Sequence, residues 1–337
     1  MLKMIIDAYT HMFHSSFIEQ LDGIGGTWVK KKIAAVQRLL QQGNPYRTDV
    51  AQRVAQLDRN HIDFQIVTPN HTLYSSFIPD DPADQLTLVQ IINNGMARIM
   101  EESRGRLVCV GTVPMTEFEQ NGLKEMDRVI KTLGLKGISV TSNFKGKPLD
   151  IRELESLWSQ AVAMNVPIYI HPNDPVSTEG RSYEADYDMI HNFGWPFETE
   201  LTLSRLVFSG VMERYPALKI ISHHLGGGIP FFWGRINETY NPSGQHRLIG
   251  RVMPKPLYDY FSLFYYDTAV GGSAQAIRCA YEVFGADKLI FATDAPNGPQ
   301  HGELRLANYP NVIISLGLSK DENNKILADN ARRVINL

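Results

Sequence analysis

The strongest constraint on the fold of this chain is a regular alternation between short apolar, β-branched runs and longer amphipathic segments. Several of the apolar runs are nearly continuous, which is typical of parallel strands that are covered on both faces. The predicted strands are 3–9, 62–69, 107–113, 136–140, 166–171, 218–223, 261–268 and 288–293. Eight strands of this kind, each followed by a longer segment, favour a closed parallel sheet.

The segments between the strands are predicted to be helices because their apolar residues recur at spacings of three and four. Leu86, Val89, Ile92 and Met96 illustrate this spacing. The predicted helices are 27–42, 82–104, 118–133, 151–164, 198–215, 271–284 and 320–335. We therefore expect an α/β fold, a (β/α)₈ TIM barrel that forms a single domain over residues 1–337.

Three long segments interrupt the alternation, near 12–60, 172–196 and 225–260. Insertions that follow barrel strands normally lie at the catalytic end, where they act as lids or subunit contacts. Plain surface packing remains an equally open interpretation for each of them.

Composition excludes several classes of protein. Lys and Arg number 33 against 36 Asp and Glu, so the net charge of −3 gives no electrostatic case for binding nucleic acid or an anionic membrane. No apolar run reaches the roughly 20 residues of a membrane span, and the N-terminus lacks the apolar stretch of a signal peptide. Cys109 and Cys279 are too few for a disulfide framework. We expect a cytoplasmic protein that acts on a small molecule.

Metal-capable side chains follow four of the predicted strands. Tyr9 and His11 end the first strand, His171 the fifth, His224 the sixth and Asp294 the eighth. Functional side chains of a barrel gather at the C-terminal ends of its strands. Imidazoles and a carboxylate that converge there suit Zn²⁺ or a similar divalent ion.

Other histidines are weaker candidates. His223 adjoins His224, and neighbours on a strand point to opposite faces, so His223 is expected to pack outside the barrel. His191, His246 and His301 lie in predicted loops or insertions, where solvated roles are equally open.

Several motifs carry a resemblance to a known family. They are Ile6-Asp7-Ala8-Tyr9-Thr10-His11, Ile170-His171-Pro172, Ser222-His223-His224-Leu225-Gly226-Gly227-Gly228, Gly234-Arg235-Ile236 and Ala292-Thr293-Asp294-Ala295-Pro296. With them, the chain resembles the amidohydrolase superfamily, in the branch of α-amino-β-carboxymuconate-ε-semialdehyde decarboxylase and γ-resorcylate decarboxylase.

The resemblance implies roles for individual residues. His11, His171 and Asp294 would be metal ligands, with Asp294 also catalytic, and His224 would donate and accept the reacting proton. The ion is expected to be Zn²⁺, with Mn²⁺ as the alternative. No lysine ends the fourth strand to bridge two ions, since Lys136 begins it, so one metal is favoured.

Arg235 matches the arginine that, in the semialdehyde decarboxylase, holds a substrate carboxylate from the neighbouring subunit. A bidentate guanidinium–carboxylate pair is the physical reason for arginine at such a position. The resemblance thus implies a homodimer or a higher homo-oligomer. An ion pair of Arg235 with Glu198 or Glu238 is the alternative.

Tyr9 departs from the family pattern, in which this position holds the first histidine of Asp-x-His-x-His or a glutamate. A tyrosine can bind a metal as phenolate if the cation lowers its pKa from about 10. We expect Tyr9 to be a ligand, and a hydrogen-bonding role is the alternative.

The expected activity is non-oxidative decarboxylation of a small aromatic or unsaturated carboxylic acid. Hydrolysis of a lactone, amide or ester on the same site is the second hypothesis, together with hydration of a double bond. A non-catalytic metal-binding or interaction protein is the third, because a fold can outlive its activity.

Overall fold

A barrel of parallel strands forms the centre of the molecule. The computed structural model describes residues 4–174, 187–239 and 253–337. Its strands are β1 Ile6–Met12, β2 Phe64–Pro69, β3 Leu107–Cys109, β4 Gly111–Thr112, β5 Ile138–Thr141, β6 Asn143–Phe144, β7 Lys147–Pro148, β8 Ile168–His171, β9 Ile220–Ser222, β10 Tyr265–Asp267 and β11 Leu289–Ile290. Strands β6 and β7 form a separate antiparallel hairpin. Each of the eight predicted runs overlaps a barrel strand, and the run 107–113 overlaps both β3 and β4.

The barrel strands pair in parallel in chain order. The sheet runs β1-β2-β3 and then β4-β5-β8-β9-β10-β11, and β3 and β4 act as one strand interrupted at Val110. The Val110 amide donates to the Val67 carbonyl at 3.0 Å, which joins the two parts. The Ala8 amide donates to the Phe291 carbonyl at 2.8 Å, which brings the last strand back to the first. The predicted barrel is thereby confirmed.

Helices follow the strands as the apolar spacing predicts. They are α1 Phe17–Asp22, α2 Thr27–Leu40, α3 Val50–Arg59, α4 His71–Ser75, α5 Pro82–Glu102, α6 Leu123–Asp127, α7 Glu155–Ala163, α8 Trp195–Phe208, α9 Val211–Arg214, α10 Trp233–Thr239, α11 Leu257–Phe261, α12 Ala274–Phe284, α13 Glu303–Ser315, α14 Lys320–Asn324 and α15 Asn330–Ile335. The longest helix in the described segments, α5, is capped at its N-terminus by Asp81, whose carboxylate accepts from the Ala83 and Asp84 amides.

Two predicted elements differ from the structure. The predicted strand 261–268 is wrong in its first half, because Leu257, Tyr260 and Phe261 form the buried face of α11 and the strand begins only at Tyr265. Leu257, Tyr260 and Phe261 have the spacings of three and four that mark a helix. The apolar run that starts at Phe261 predicted a strand instead. The predicted helix 198–215 is broken at Gly210, whose φ of 86° the helix cannot continue.

Two apolar layers cover the two faces of the barrel strands. The strand side chains that point into the barrel form one buried cluster. It includes Ile66, Val108, Tyr169, Ile221 and Ile290. The other face packs against the helices. In β8 and beyond the end of β9, the inward alternation that passes through Tyr169 and Ile221 continues to His171 and His223. The apolar interior is thus the floor on which the polar side chains lie.

A few predictions fall on residues outside those described. Residues 175–186 of the predicted insertion 172–196 and residues 240–252 of the insertion 225–260 belong to this group, as do His246 and the first predicted strand residue, Lys3. Within the described segments, no helix is long and apolar enough to cross a membrane.

A fully buried polar network joins the first, second and last strands below the cluster of histidines. Gln65 donates to Asp7 at 2.9 Å and accepts from Arg53 Nε at 2.7 Å. Asp7 also accepts from the Thr293 amide and hydroxyl, and Arg53 donates to the Ala295 carbonyl. These bonds fix the segment around residue 294 to the barrel wall.

Replacement of Gln65 by Leu should lower the free energy of unfolding by about 1–3 kcal/mol, because buried donors and acceptors of Arg53 and Asp7 lose a partner. Urea denaturation monitored by circular dichroism measures the change. The control is Gln37→Leu on the exposed face of α2, for which a change within about 0.5 kcal/mol is expected. Equal stability of the two variants would show that the network contributes nothing.

Candidate active site

Three histidines from three strand ends meet at the mouth of the barrel. One nitrogen from each of His11, His171 and His223 lies within 4.8 Å of the other two, and all three side chains are buried. A second group, which meets the same distance limit, consists of His223, His224 and Asp294. The structure therefore brings together His11, His171, His224 and Asp294, as predicted, and adds His223.

The outer nitrogens of these imidazoles are engaged by neighbouring oxygens. His11 Nδ1 lies 2.7 Å from Thr68 Oγ1, and that hydroxyl donates its own proton to the Thr10 carbonyl. His11 Nδ1 is therefore the donor in this pair. His171 Nδ1 donates to the Pro172 carbonyl at 2.6 Å. Both rings thus turn an Nε2 lone pair toward the centre.

The prediction that His223 packs outside the barrel is wrong. Strand β9 ends at Ser222, and His223 continues the inward alternation from Ile221. His224, the next residue, takes a φ of 52°, which turns its side chain toward the same mouth although it is a neighbour in sequence. The two rings stack at a centroid distance of 3.8 Å.

Asp267 holds the outer nitrogen of His223. Its carboxylate is fully buried, bonds to His223 Nδ1 and accepts from the Ala269 amide at 3.0 Å. Burial alone would lower the pKa of His223, but the charges of Asp267 and Asp294 outweigh it and raise that pKa to about 9. His223 Nε2 is buried and has no hydrogen-bond partner.

Asp294 lies at the centre of the cluster in a left-handed backbone conformation, with φ of 62°. Its Oδ1 lies 3.3 Å from His11 Nε2 and 3.6 Å from His223 Nε2, and its Oδ2 accepts from Arg305 at 2.9 Å. Burial would raise the pKa of Asp294, but the neighbouring imidazoles of His11 and His223 hold it well below its usual range.

Tyr9 lies under the cluster, not at its rim. The register of β1 and β2 shifts between Asp7 and Thr10, so that Ala8 and Tyr9 both contact the barrel interior. The Tyr9 ring stacks on His223 with centroids 3.9 Å apart and planes 14° apart. Its hydroxyl is buried without a hydrogen-bond partner, and burial raises its pKa well above 10.

A cavity of about 860 Å³ opens above the cluster. His171, His224 and Asp294 lie on its floor, and His224 Nδ1 is buried without a partner. Burial and the charge of His223 lower the pKa of His224 well below 6.5. The cavity walls include Asn44, Arg47, Asn70, His71, His191, Trp195, Asn297, His301 and Arg305.

One wall of the cavity is aromatic. His71, which follows β2, stacks on His171 with centroids 4.4 Å apart, and Trp195 at the start of α8 meets both rings edge-on. Lys32 of α2 is buried and donates to the Thr72 and Leu73 carbonyls, so that it holds the short helix that carries His71. This wall suits the flat face of an aromatic or conjugated ligand.

Arg47 supplies a cation to the opposite wall. It belongs to the segment 12–60 and ends a short 3₁₀ turn over Pro45–Arg47. Its NH2 donates to Asn297 at 3.1 Å, while Nε and NH1 are buried without partners. Nε and NH1 are therefore donors that no described residue uses, on an arginine that lines the cavity.

Arg235 lies elsewhere. It is exposed on α10 and lines a surface hollow of about 400 Å³, together with Phe197, Leu201, Phe232 and Ile236. It is not among the described residues that line the cavity above the histidines. Within one chain, the structure does not bring Arg235 to the predicted site.

The sequence analysis missed Asp267 and Arg47. Asp267 lies at the end of a predicted strand, as Asp294 does. The same rule about strand ends could therefore have predicted it as a site residue. No sequence pattern predicted that Arg47 lies at the cavity, because it belongs to an insertion and not to a barrel strand.

The chain is similar to known proteins over most of its length. A family model described as Amidohydrolase matches residues 6–337. The 2-amino-3-carboxymuconate-6-semialdehyde decarboxylase of Dictyostelium discoideum is 28% identical over 86% of this chain and 81% of its own length. The γ-resorcylate decarboxylase of Polaromonas sp. is 29% identical over 72% of this chain and 76% of its own.

A crystal structure of 5-carboxyvanillate decarboxylase from Novosphingobium aromaticivorans, complexed with manganese and 4-hydroxy-3-methoxy-5-nitrobenzoic acid, superimposes with a TM-score of 0.81. It is 22% identical and covers 99% of this chain and 96% of that one. At this identity the likeness shows the barrel fold alone. The sequence resemblance stated above is confirmed by the family match and the curated relatives.

Proposed function

Because the chain belongs to the amidohydrolase family, we propose that it is a metal-dependent decarboxylase of a small aromatic or unsaturated carboxylic acid. The observation that carries the proposal is the convergence of buried imidazoles and Asp294 on the floor of a cavity, beside His224. The curated relatives reported above are decarboxylases of such acids.

We propose His11, His171 and Asp294 as ligands of one divalent ion. His11 Nε2 and Asp294 Oδ1 approach to 3.3 Å, yet the bond to Thr68 leaves a lone pair on that nitrogen. A divalent ion bound between this nitrogen and the carboxylate oxygen would satisfy both, and the donor set suits Zn²⁺, with Mn²⁺ as the alternative. Ligation by Tyr9 stays a prediction.

A divalent ion bound at this position would polarise the oxygens of a substrate and stabilise negative charge as CO₂ leaves. Loss of CO₂ breaks a carbon–carbon bond and leaves its electron pair on the substrate carbon, which then takes up a proton. His224 lies on the cavity floor, where its neutral ring is placed to take up a proton from solvent and pass it to that carbon. The His71–Trp195 wall holds the flat face of the substrate, and Arg47 pairs with an anionic oxygen on it.

We propose a homodimer in which Arg235 reaches the cavity of the partner subunit. Arg235 lies in an apolar surface hollow, apart from the cavity of its own chain. We further propose one domain over the whole chain and a cytoplasmic location. Both cysteines are free, which supports that location, since disulfides are rare in the cytosol.

Purified protein should release CO₂ from at least one member of a panel of hydroxybenzoates and muconate-type acids. His11→Ala and Asp294→Ala should abolish the release and lower the bound metal, which elemental analysis measures. His61→Ala, at an exposed position outside the cavity, is the control and should change neither. Consumption of lactones, amides or esters without CO₂ would instead favour hydrolysis.

Arg47→Ala should lower kcat/KM by about 10- to 100-fold, because a hydrogen bond to a charged group contributes about 1.5–3 kcal/mol. The loss should lie mainly in KM if Arg47 binds the ground state and the transition state equally. Arg38→Ala, on an exposed part of α2, is the matched control. An unchanged kcat/KM for Arg47→Ala would remove Arg47 from the site.

Co-expression of two inactive variants tests the role of Arg235 across subunits. In a heterodimer of Arg235→Ala and His224→Ala chains, one cavity combines an intact His224 with the partner's intact arginine. A random mixture should therefore recover about a quarter of the wild-type activity, because half of the dimers regain one site of two. No recovery, with dimers verified by light scattering, would contradict the assignment.

A further inference from the structure

His223 is the residue whose position the sequence predicts wrongly and whose chemistry the proposed reaction leaves unassigned. Its side chain is fully buried, at 0% exposure, and its Nε2 has no hydrogen-bond partner. Buried polar atoms without a partner are rare because each one costs free energy, so this nitrogen calls for an explanation.

The surroundings of His223 fix which nitrogen carries its proton. Nδ1 bonds to the Asp267 carboxylate, which can only accept when it is ionised. Asp267 is itself fixed, since its other oxygen accepts from the Ala269 and Leu225 amides. Nε2 points toward Asp294, 3.6 Å away. A bound cation displaces the proton from this nitrogen, and its lone pair then faces the ion.

Histidines that bind a metal commonly donate one ring N–H to a carboxylate and direct the other nitrogen at the ion. His223 has this arrangement. The carboxylate sets the tautomer, orients the ring and makes the free nitrogen more basic. His223 is also the only residue shared by the two clusters that the described residues offer to a metal.

We infer that His223 is a fourth protein ligand of the divalent ion, together with His11, His171 and Asp294, and that Asp267 orients it. This inference rests on the metal site of the proposed function. Tyr9 then supports the face of the His223 ring by the stacking contact described above. Three imidazole nitrogens and one carboxylate oxygen form a donor set that both Zn²⁺ and Mn²⁺ accept.

The test measures metal affinity instead of turnover. Protein stripped with a chelator is titrated with Zn²⁺ in competition with a chromophoric chelator, for wild type, His223→Gln, Asp267→Asn and Tyr9→Phe. Circular dichroism and the melting temperature of the metal-free proteins report whether each variant folds. His61→Gln, an exposed histidine outside the cluster, is the matched control.

Asp267→Asn should weaken Zn²⁺ binding by about 10- to 100-fold, as for other partners of a metal-bound histidine, and His223→Gln by at least as much. Tyr9→Phe keeps the stacked ring and should change the affinity by less than about threefold. The visible spectrum of the Co²⁺-substituted protein should change in His223→Gln and stay unchanged in Tyr9→Phe, because ligand identity sets the spectrum.

Wild-type affinity and an unchanged Co²⁺ spectrum in His223→Gln would overturn the inference, as would a loss of affinity confined to Tyr9→Phe. If His223→Gln does not fold, wild-type affinity in Asp267→Asn overturns it. The proposed function is tested separately. If metal binding depends on His223 but no CO₂ is released, the inference stands and the proposed activity is wrong. If CO₂ is released but metal binding does not depend on His223, the proposed activity stands and the inference is wrong.

Discussion

The Asp294 carboxylate is the charge around which the rest of the site is arranged. A largely buried anion is stable only when cations or donors surround it, and here Arg305, Asn297 and two imidazoles do so. Its backbone amide donates to the Tyr9 carbonyl at 3.1 Å, so the bond that helps to close the barrel also positions the carboxylate. Closure of the barrel and placement of the carboxylate thus depend on the same contact.

The barrel separates two environments along its axis. The lower layers are apolar, and side chains such as Ile66 and Ile290 fill the interior. The polar side chains begin where the strands end, so the histidines rest on a floor of low dielectric that strengthens their mutual electrostatic interactions. Burial lowers the pKa of His171 well below its usual value and that of His71 to about 3, and both rings are neutral at pH 7.

The segments outside the barrel give the cavity its chemical character. Arg47 and Asn44 arrive from the segment 12–60, and Asn44 donates to the Pro296 carbonyl next to Asp294. The start of α8 adds Trp195. Since the barrel supplies the histidines and the carboxylate, these segments add a guanidinium group and an aromatic wall to the cavity.

The sequence by itself determined the barrel and four residues of its mouth. The apolar residues recur with the periods of strands and helices, which predicted the barrel. The strand ends of a parallel barrel meet at one face, so His11, His171, His224 and Asp294 could be predicted to lie together. Tertiary structure alone decided the rest. The inward turn of His224 beside His223 depends on its left-handed backbone conformation. The position of Arg47 depends on an insertion that has no strand register. Arg235 lies in a surface hollow, away from the cavity of its own chain. These positions are set where the backbone is neither a regular strand nor a regular helix. The periodicity of apolar residues predicts only regular elements, so it could not predict them.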